Sequence, residues 1–191
     1  MVKLDEVGIE RHLFTLDEYH RLGEAGFLTE DDRVELIEGE MVQMPPIGSE
    51  HASVVDILAE IFIRGLDPSR GQVRIQNPVI VGGRSEVQPD LVVARARSDR
   101  YRGRNPIADE VALLIEVADS TLRFDRYVKL PLYARASVPE VWIVDLVART
   151  LHVHRTPNED AYSVTQQYGR GESVSPAAFP DLNIAVSDIL G

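Results

Sequence analysis

Two short apolar stretches, Pro89-Asp90-Leu91-Val92-Val93 and Leu113-Leu114-Ile115-Glu116-Val117, decide how this chain is expected to fold. Each is typical of a β-strand that carries one carboxylate, the first near its beginning and the second near its end. Because successive side chains along a strand point to opposite faces, Asp90 and Glu116 each belong to a defined face of their strand. If the two strands are neighbours, the two carboxylates converge on one point.

Convergence would have a chemical consequence. Two carboxylates about 4 Å apart at an effective dielectric constant near 20 repel each other by about 4 kcal/mol. A semi-buried pair of this kind must therefore hold a proton or a cation. The alternative is that each carboxylate stands at a strand end and faces water, and the spacing leaves both interpretations open.

The whole chain sets the broad class. Its 191 residues suit one domain spanning residues 1–191. There is no cysteine, which excludes disulfides and thiolate metal sites. The N-terminal residues are charged and no apolar run reaches membrane-spanning length, so we expect a cytoplasmic protein with no membrane partner.

Helices and strands are expected along most of the chain. The capping-box sequence Thr15-Leu16-Asp17-Glu18 predicts a helix to about Ala25, and the apolar spacing after His51 predicts an amphipathic helix to about Gly65. A hairpin is expected around Glu38-Gly39. Val73 to Val81 and Val87 to Ala94 are expected to form a pair of strands joined through Gly82 to Ser85. Further strands are expected at Val111 to Val117, Val141 to Asp145, Thr150 to His154 and Tyr162 to Gln167.

One more predicted helix contains a proline. It runs from Asp119-Ser120-Thr121 to about Ala136 with Pro131 inside it. Proline removes a backbone donor and clashes with the preceding turn, so this helix must kink or begin later. The order of helix, hairpin, helix, several strands, helix and strands predicts an α/β fold with a mixed sheet flanked by helices.

The charge is strongly negative, at −11. This argues against a surface coated with basic residues for nucleic acid, because phosphate contacts provide most non-specific affinity. Arginines do cluster between Arg95 and Arg104, and Arg123 and Arg126 follow. The cluster is either a solvated loop or a local basic patch.

The chain resembles a large bacterial family of restriction-endonuclease-like proteins within the PD-(D/E)xK phosphodiesterase superfamily. More than half of the chain, from about Glu35 to Asp145, is covered. The residues that carry the resemblance are Glu35 to Glu40, His51, Pro89 to Val93, Ile115 to Thr121, Asp125, Lys129, Tyr133 and Val138 to Asp145.

The resemblance implies a fold and a chemistry. The fold is the αβββαβ core of those nucleases at about residues 33–146, with an extra N-terminal helix and hairpin and a C-terminal strand extension at about residues 150–191. Asp90, Glu116 and the carbonyl of Val117 would hold Mg²⁺ or Mn²⁺, hard cations that prefer oxygen ligands. The expected activity is metal-assisted hydrolysis of phosphodiester bonds in DNA.

The lysine of the motif has moved. In the superfamily it lies two residues after the second acid, where this chain has Ala118. The closer family has it on the following helix, which corresponds to Lys129. Only two of the twenty lysine and arginine residues are lysines, Lys3 near the terminus and Lys129 inside the chain. This scarcity favours a specific role for Lys129. The alternative is that Lys129 is an exposed helix residue.

Supporting roles are implied for three further residues. Glu38 could reach the metal through water, or be a turn carboxylate. His51 matches the histidine of the family, or is a surface or capping residue at the start of its helix. Tyr133 could support the site, or be a packing residue with a polar tip.

The expected function is therefore that of a metal-dependent endonuclease. The alternative is a non-catalytic binding or regulatory module that has kept the nuclease scaffold, which would suit the negative charge. Since restriction-type enzymes often dimerise to cut both strands, a homodimer is a further expectation from the resemblance.

Overall fold

The computed structural model describes residues 10–191. The helices are α1 (Leu16–Glu24), α2 (Ser49–Gly65), α3 (Leu122–Phe124), α4 (Leu130–Arg135) and α5 (Val186–Leu190), and a π-helical turn at Asp125–Lys129 joins α3 to α4. The strands are β1 (Val34–Ile37), β2 (Glu40–Gln43), β3 (Gly71–Ile75), β4 (Val79–Ile80), β5 (Glu86–Val87), β6 (Leu91–Arg95), β7 (Val111–Ala118), β8 (Glu140–Asp145), β9 (Thr150–Asn158), β10 (Ala161–Tyr168), β11 (Ser173–Val174) and β12 (Ile184–Ala185).

The chain divides into two compact units. The first consists of the described part of Met1–Pro45 together with Gly83–Val87, and the second of Pro46–Gly82 and Gln88–Gly191. The expectation of a single domain over residues 1–191 stays a prediction.

The first unit contains a capped helix and a hairpin. The Thr15 hydroxyl accepts a hydrogen bond from the Glu18 amide and the Glu18 carboxylate accepts one from the Thr15 amide, so the predicted capping box is confirmed. Strands β1 and β2 pair antiparallel, and the positive φ angles of Glu38 and Gly39 form the tight turn between them, which confirms the predicted hairpin.

The second unit is built on a mixed sheet with the strand order β10-β9-β8-β7-β6-β3. Its neighbours are antiparallel except for β7 and β8, which are parallel. The predicted α/β architecture with a mixed sheet is confirmed. Strands β6 and β7, which carry the two stretches that organise the sequence, are direct neighbours.

The main core of this unit lies between one face of the sheet and helices α2 and α5. Alternate side chains of β6 and β7, such as Leu91, Val93, Ile115 and Val117, point into it. Trp142 also lies there, fully buried and edge-on to Phe62. On the other face, α4 packs against β9 and β10.

The predicted strand pair of Val73 to Val81 with Val87 to Ala94 is only half right. Strands β3 and β6 pair antiparallel, but the ladder stops at Ile75 and Leu91. Beyond that point the chain contains Pro78 and Pro89, which have no N–H to donate to a ladder. The outer parts of the two predicted strands therefore form the separate short strands β4 and β5.

The predicted helix around Pro131 is interrupted, as expected from the proline. Pro131 lies in the first turn of α4 and cannot donate a backbone hydrogen bond to the turn before it. The amide of Leu130 bonds to the carbonyl of Asp125, five residues earlier, which is the spacing of a π-helical turn.

None of the helices within residues 10–191 is long and apolar enough to cross a membrane.

Candidate active site

Asp90 and Glu116 lie side by side on two neighbouring interior strands, where β6 begins and β7 ends. Leu91 pairs with Ile115 across β6 and β7, so the same register brings the preceding Asp90 beside the following Glu116. Directly opposite residues of an antiparallel pair share a face. Asp90 is 8% exposed and Glu116 is 4% exposed. The two strands thus bring two nearly buried carboxylates together.

Three donors hold the carboxylate of Asp90. The amide of Val117 donates to Oδ2 at 2.8 Å, Nε2 of His51 lies 3.1 Å from the same oxygen, and the side-chain amide of Gln76 donates to Oδ1 at 3.1 Å. Burial alone would raise the pKa of Asp90. The hydrogen bonds and the charge of His51 outweigh burial and hold the pKa below its usual value. Asp90 is therefore ionised near neutral pH.

The two side-chain donors come from different segments of the chain. His51 lies in the first turn of α2, which begins at Ser49, and its side chain is mostly buried. Gln76 follows β3 directly and has a left-handed φ of 49°. Sequence reasoning missed Gln76. Its position between a strand and Asn77-Pro78 marks a break in the strand, but nothing local links it to Asp90.

Glu116 is held by two side chains from the segment after β7. The Nζ atom of Lys129 lies 3.2 Å from Oε1 of Glu116, and the hydroxyl of Tyr133 donates to the same oxygen. Lys129 is 2% exposed and Tyr133 is fully buried. The alternative that Lys129 is an exposed helix residue is thus wrong.

The interrupted helix explains how Lys129 reaches the sheet. The π-helical turn widens the backbone between α3 and α4, and it ends at Lys129. Asp125 and Lys129 are buried within this turn, whereas Tyr127 and Val128 are exposed. Tyr133 follows on α4 and packs with Lys129 over Glu116.

The backbone beside the carboxylates is also unusual. The β6–β7 ladder ends at Leu91 and Ile115, and the same register continued by two residues would place Pro89 opposite Val117. The N–H of Val117 points to this neighbour, because it donates to Asp90, and its carbonyl points to the same side. Proline has no N–H, so Pro89 cannot donate the ladder hydrogen bond to the Val117 carbonyl.

This donor set fits a hard divalent cation. Mg²⁺ in proteins is often bound by one or two carboxylates and completes its shell with water and substrate oxygens. Asp90, Glu116 and the Val117 carbonyl offer oxygen ligands of that kind. Among the side chains that the structure describes, no group of three or more His, Cys, Asp or Glu is arranged to hold a metal. A closed site made of protein side chains alone, as for structural zinc, is therefore not what these residues form.

Glu38 lies in the hairpin turn of the first unit, with a φ of 51°. Its amide donates to the hydroxyl of Ser85 at 2.8 Å. A metal contact through water stays a prediction for this residue.

Two of the five arginines of the arginine-rich loop, Arg97 and Arg104, are paired with carboxylates. Arg104 donates to both carboxylate oxygens of Glu110, and Arg97 does the same with Asp99. These contacts lower the pKa of Asp99 and of Glu110 to about 2. Arg74, Arg97 and Arg104 also surround the ring of Tyr101, which is buried.

Comparisons with known proteins agree with this architecture. Residues 16–187 match the profile of the Uma2 family, described as "Putative restriction endonuclease". The fold is similar to the crystal structure of a "putative nuclease belonging to DUF820" from Anabaena variabilis ATCC 29413, with a TM-score of 0.72 and 19% sequence identity over 93% of this chain and 97% of that chain. The predicted restriction-endonuclease-like fold is thereby confirmed. No curated protein matches the sequence.

Proposed function

We propose that this chain, which belongs to the Uma2 family described as "Putative restriction endonuclease", is a metal-dependent nuclease that hydrolyses phosphodiester bonds in DNA. The proposed ligands of the metal are the carboxylates of Asp90 and Glu116 and the backbone carbonyl of Val117. Lys129 is proposed as the catalytic cation.

The observation that carries the proposal is the buried ammonium of Lys129 beside Glu116. Nζ lies 3.2 Å from Oε1 at a position where both side chains are almost fully buried. Burying a lysine is costly, and replacing such a pair by apolar residues often stabilises a protein. A lysine kept at this point, next to two carboxylates, is better explained by chemistry than by stability.

Each residue can be given a task. Asp90 stays ionised because its three donors oppose protonation, so it offers a charged oxygen ligand at neutral pH. Tyr133 fixes Glu116 from a second direction. His51 orients Asp90. Lys129 would donate to a phosphate oxygen or orient the attacking water, and it would stabilise the charge that develops during transfer.

The metal would supply the remaining chemistry. A divalent cation polarises a phosphoryl oxygen and makes water more acidic. Mg²⁺ and Mn²⁺ both suit the oxygen ligands offered here.

The same contacts support a second candidate, a binding module without catalysis. Oε1 of Glu116 already receives Lys129 and Tyr133, and both oxygens of Asp90 accept hydrogen bonds. Protein donors alone therefore compensate much of the charge of the two carboxylates. A nuclease fold that has lost catalysis and only binds nucleic acid would keep this network and would need no metal.

Calorimetric titration of Mn²⁺ separates the two candidates. We expect binding to the native chain and its loss in Asp90→Asn and in Glu116→Gln. Glu140→Gln is the matched control, because Glu140 is an equally buried strand glutamate whose partners are Trp142, Arg155 and the Ala177 amide. Binding that is absent from the native chain, or unchanged in both site variants, would rule out the metal site.

Cleavage is the second step of the test. A supercoiled plasmid incubated with Mg²⁺ or Mn²⁺ should be nicked or linearised by the native chain and by Glu140→Gln. Glu116→Gln and Lys129→Met should leave it intact. Metal binding without any cleavage of plasmid or single-stranded DNA would favour the binding module.

A further inference from the structure

The segment that carries Lys129 also holds a second cation over the same face of the sheet. Arg126 lies in the π-helical turn, and its Nη2 atom is 2.8 Å from Nε2 of His152 and 3.5 Å from Oδ2 of Asp145. Its side chain is 34% exposed, whereas that of Asp145 is buried. Arg126 is thus half-buried and oriented by two groups of the sheet.

The register of the sheet locates Arg126 relative to the carboxylates. Glu116 pairs with Ile143 across β7 and β8, and Ile143 pairs with His152 across β8 and β9. Paired residues point to the same face, so Glu116 and His152 belong to one row. Two strand spacings separate them, or about 10 Å between their Cα atoms. Arg126 therefore stands beside the candidate active site, on the same face.

The partners of Arg126 engage only one of its three nitrogen atoms, Nη2. His152 accepts the Arg126 bond on Nε2, as a neutral imidazole does, and Thr150 lies 3.1 Å from the same nitrogen. Burial and the nearby guanidinium lower the pKa of His152, which keeps it neutral. The contact with Asp145 is long, and the other oxygen of Asp145 accepts from the Ala148 amide.

The arginine-rich loop provides a contrast. Arg104 donates to Glu110 at 2.5 and 2.6 Å, and Arg97 donates to Asp99 at 2.7 and 2.8 Å. Those two arginines are each bound by both oxygens of a carboxylate. Arg126 has one neutral acceptor and one carboxylate oxygen at 3.5 Å, both at Nη2. Among the described residues no acceptor bonds to its Nε or Nη1 atoms.

We infer that Arg126 is a phosphate-binding residue that contacts the nucleic-acid backbone next to the phosphate bound at Asp90 and Glu116. The inference rests on the proposed function for the identity of the ligand, a nucleic-acid strand. A planar guanidinium held in place suits a phosphate, because its donors form charge-assisted bonds in a fixed geometry. His152, which holds the guanidinium of Arg126, lies two strands from Glu116, or about 10 Å between Cα atoms. This offset suits a contact with a neighbouring phosphate rather than with the scissile one.

The test measures binding of a fluorescein-labelled DNA duplex, and of its single strand, by fluorescence anisotropy in EDTA at several salt concentrations. Arg126→Gln should weaken binding about tenfold, because a hydrogen bond between charged groups is lost. The slope of log affinity against log salt should fall by about 1, because one phosphate contact disappears. Arg126→Lys should lose less DNA affinity than Arg126→Gln, because lysine keeps the positive charge but not the planar set of guanidinium donors.

Arg123→Gln is the matched control. Arg123 lies on α3 in the same segment and is exposed, and its side chain makes no hydrogen bond or ion pair with any described residue. Arg123→Gln removes the same charge as Arg126→Gln, and it should change DNA affinity less than about twofold. Equal losses in Arg123→Gln and Arg126→Gln would reduce the effect to general charge and overturn the inference. So would unchanged binding by Arg126→Gln, or no binding of either DNA by the native chain.

The outcomes separate this inference from the proposed function. Loss of DNA binding in Arg126→Gln, with no Mn²⁺ site in the native chain, would leave the phosphate contact standing and remove the metal-dependent nuclease. If instead the native chain and Arg126→Gln cleave plasmid at the same rate and bind DNA with equal affinity, the nuclease stands and the phosphate contact of Arg126 is ruled out.

Discussion

The ammonium of Lys129 lies 3.2 Å from Oε1 of Glu116, and 2% of Lys129 and 4% of Glu116 is exposed. Both charges are shielded from bulk water, so each is stabilised by the other, and Glu116 is also stabilised by the hydroxyl of Tyr133. The pair also joins the segment after β7 to the strand that carries the acid. Removing one partner should therefore affect both stability and the proposed chemistry.

Substituting Lys129 by methionine tests that dependence. Methionine keeps the length of the side chain but leaves Glu116 buried without its cation, which should lower the free energy of unfolding by about 3 kcal/mol or more. The double variant Lys129→Met with Glu116→Gln should recover part of this loss, because a neutral amide is cheaper to bury. Urea unfolding of the two single variants and the double variant forms the cycle. Additive losses would show that the two charges do not interact.

Replacing His51 should move the pH dependence of metal binding. His51 lowers the pKa of Asp90 through a hydrogen bond and its charge, against the opposing effect of burial. His51→Leu should therefore raise the pKa of Asp90. Since the carboxylate must be ionised to bind metal, Mn²⁺ binding should be half lost at a higher pH than in the native chain.

The measurement is calorimetric titration of Mn²⁺ across the acidic range. His152→Leu is the control, because it removes a histidine from the same unit whose hydrogen bonds are to Arg126 and Thr150. A profile of His51→Leu that coincides with the native one would contradict the role assigned to His51.

Pro89→Ala should weaken the proposed metal site without removing a carboxylate. The new N–H would stand opposite the Val117 carbonyl and could extend the β6–β7 ladder to it. The carbonyl would then be occupied, and Mn²⁺ affinity should fall by up to about tenfold. Pro78→Ala is the matched control, since Pro78 also interrupts a predicted strand but is not aligned with Val117. Equal affinities for Pro89→Ala and the native chain would argue against the carbonyl as a ligand.

His154 should make the stability of the fold sensitive to acid. Burial, followed by the charges of His152 and Arg126, lowers the pKa of His154 to about 4. An unfolded histidine has a pKa near 6.5, so the unfolded state gains the proton first as the pH falls. The stabilisation is complete above about pH 6.5 and is lost as the pH falls towards about 4, by an amount on the order of 3 kcal/mol.

Urea unfolding over this pH range provides the measurement. His154→Gln should show a flatter dependence than the native chain, because glutamine does not titrate. The exposed His12 is the control, and His12→Gln should follow the native curve. Parallel curves for His154→Gln and the native chain would show that His154 is not responsible.

Local patterns were enough to predict much of the fold. The capping box at Thr15, the hairpin at Glu38-Gly39 and the amphipathic helix after His51 all depend on neighbours a few residues apart, and all three are confirmed. The alternation of side chains in β6 and β7 likewise assigned Asp90 and Glu116 to faces of their strands. Such features depend on backbone geometry that recurs every two or four residues.

Other features required contacts that span the chain. The prolines at positions 78 and 89 shorten the β3–β6 ladder, and the alternation of apolar residues does not reveal where it stops. Gln76 reaches Asp90 only because β3 and β6 are neighbours. The pairing of the arginine-rich loop with Asp99 and Glu110 also depends on how that loop turns back on itself.

Lys129 shows most clearly where sequence reasoning ends. Its identity and its distance along the chain from Glu116 were apparent from the sequence and the family resemblance. Its direction was not, because a π-helical turn before Pro131 rotates the side chain inward and buries it over the sheet. The sequence itself gives the residue types of a site, and the alternation of side chains along a strand gives the face on which each lies. Which strands are neighbours, and the direction in which a side chain such as that of Lys129 points, depend on the packing of segments that are distant in the sequence. No local pattern encodes that packing.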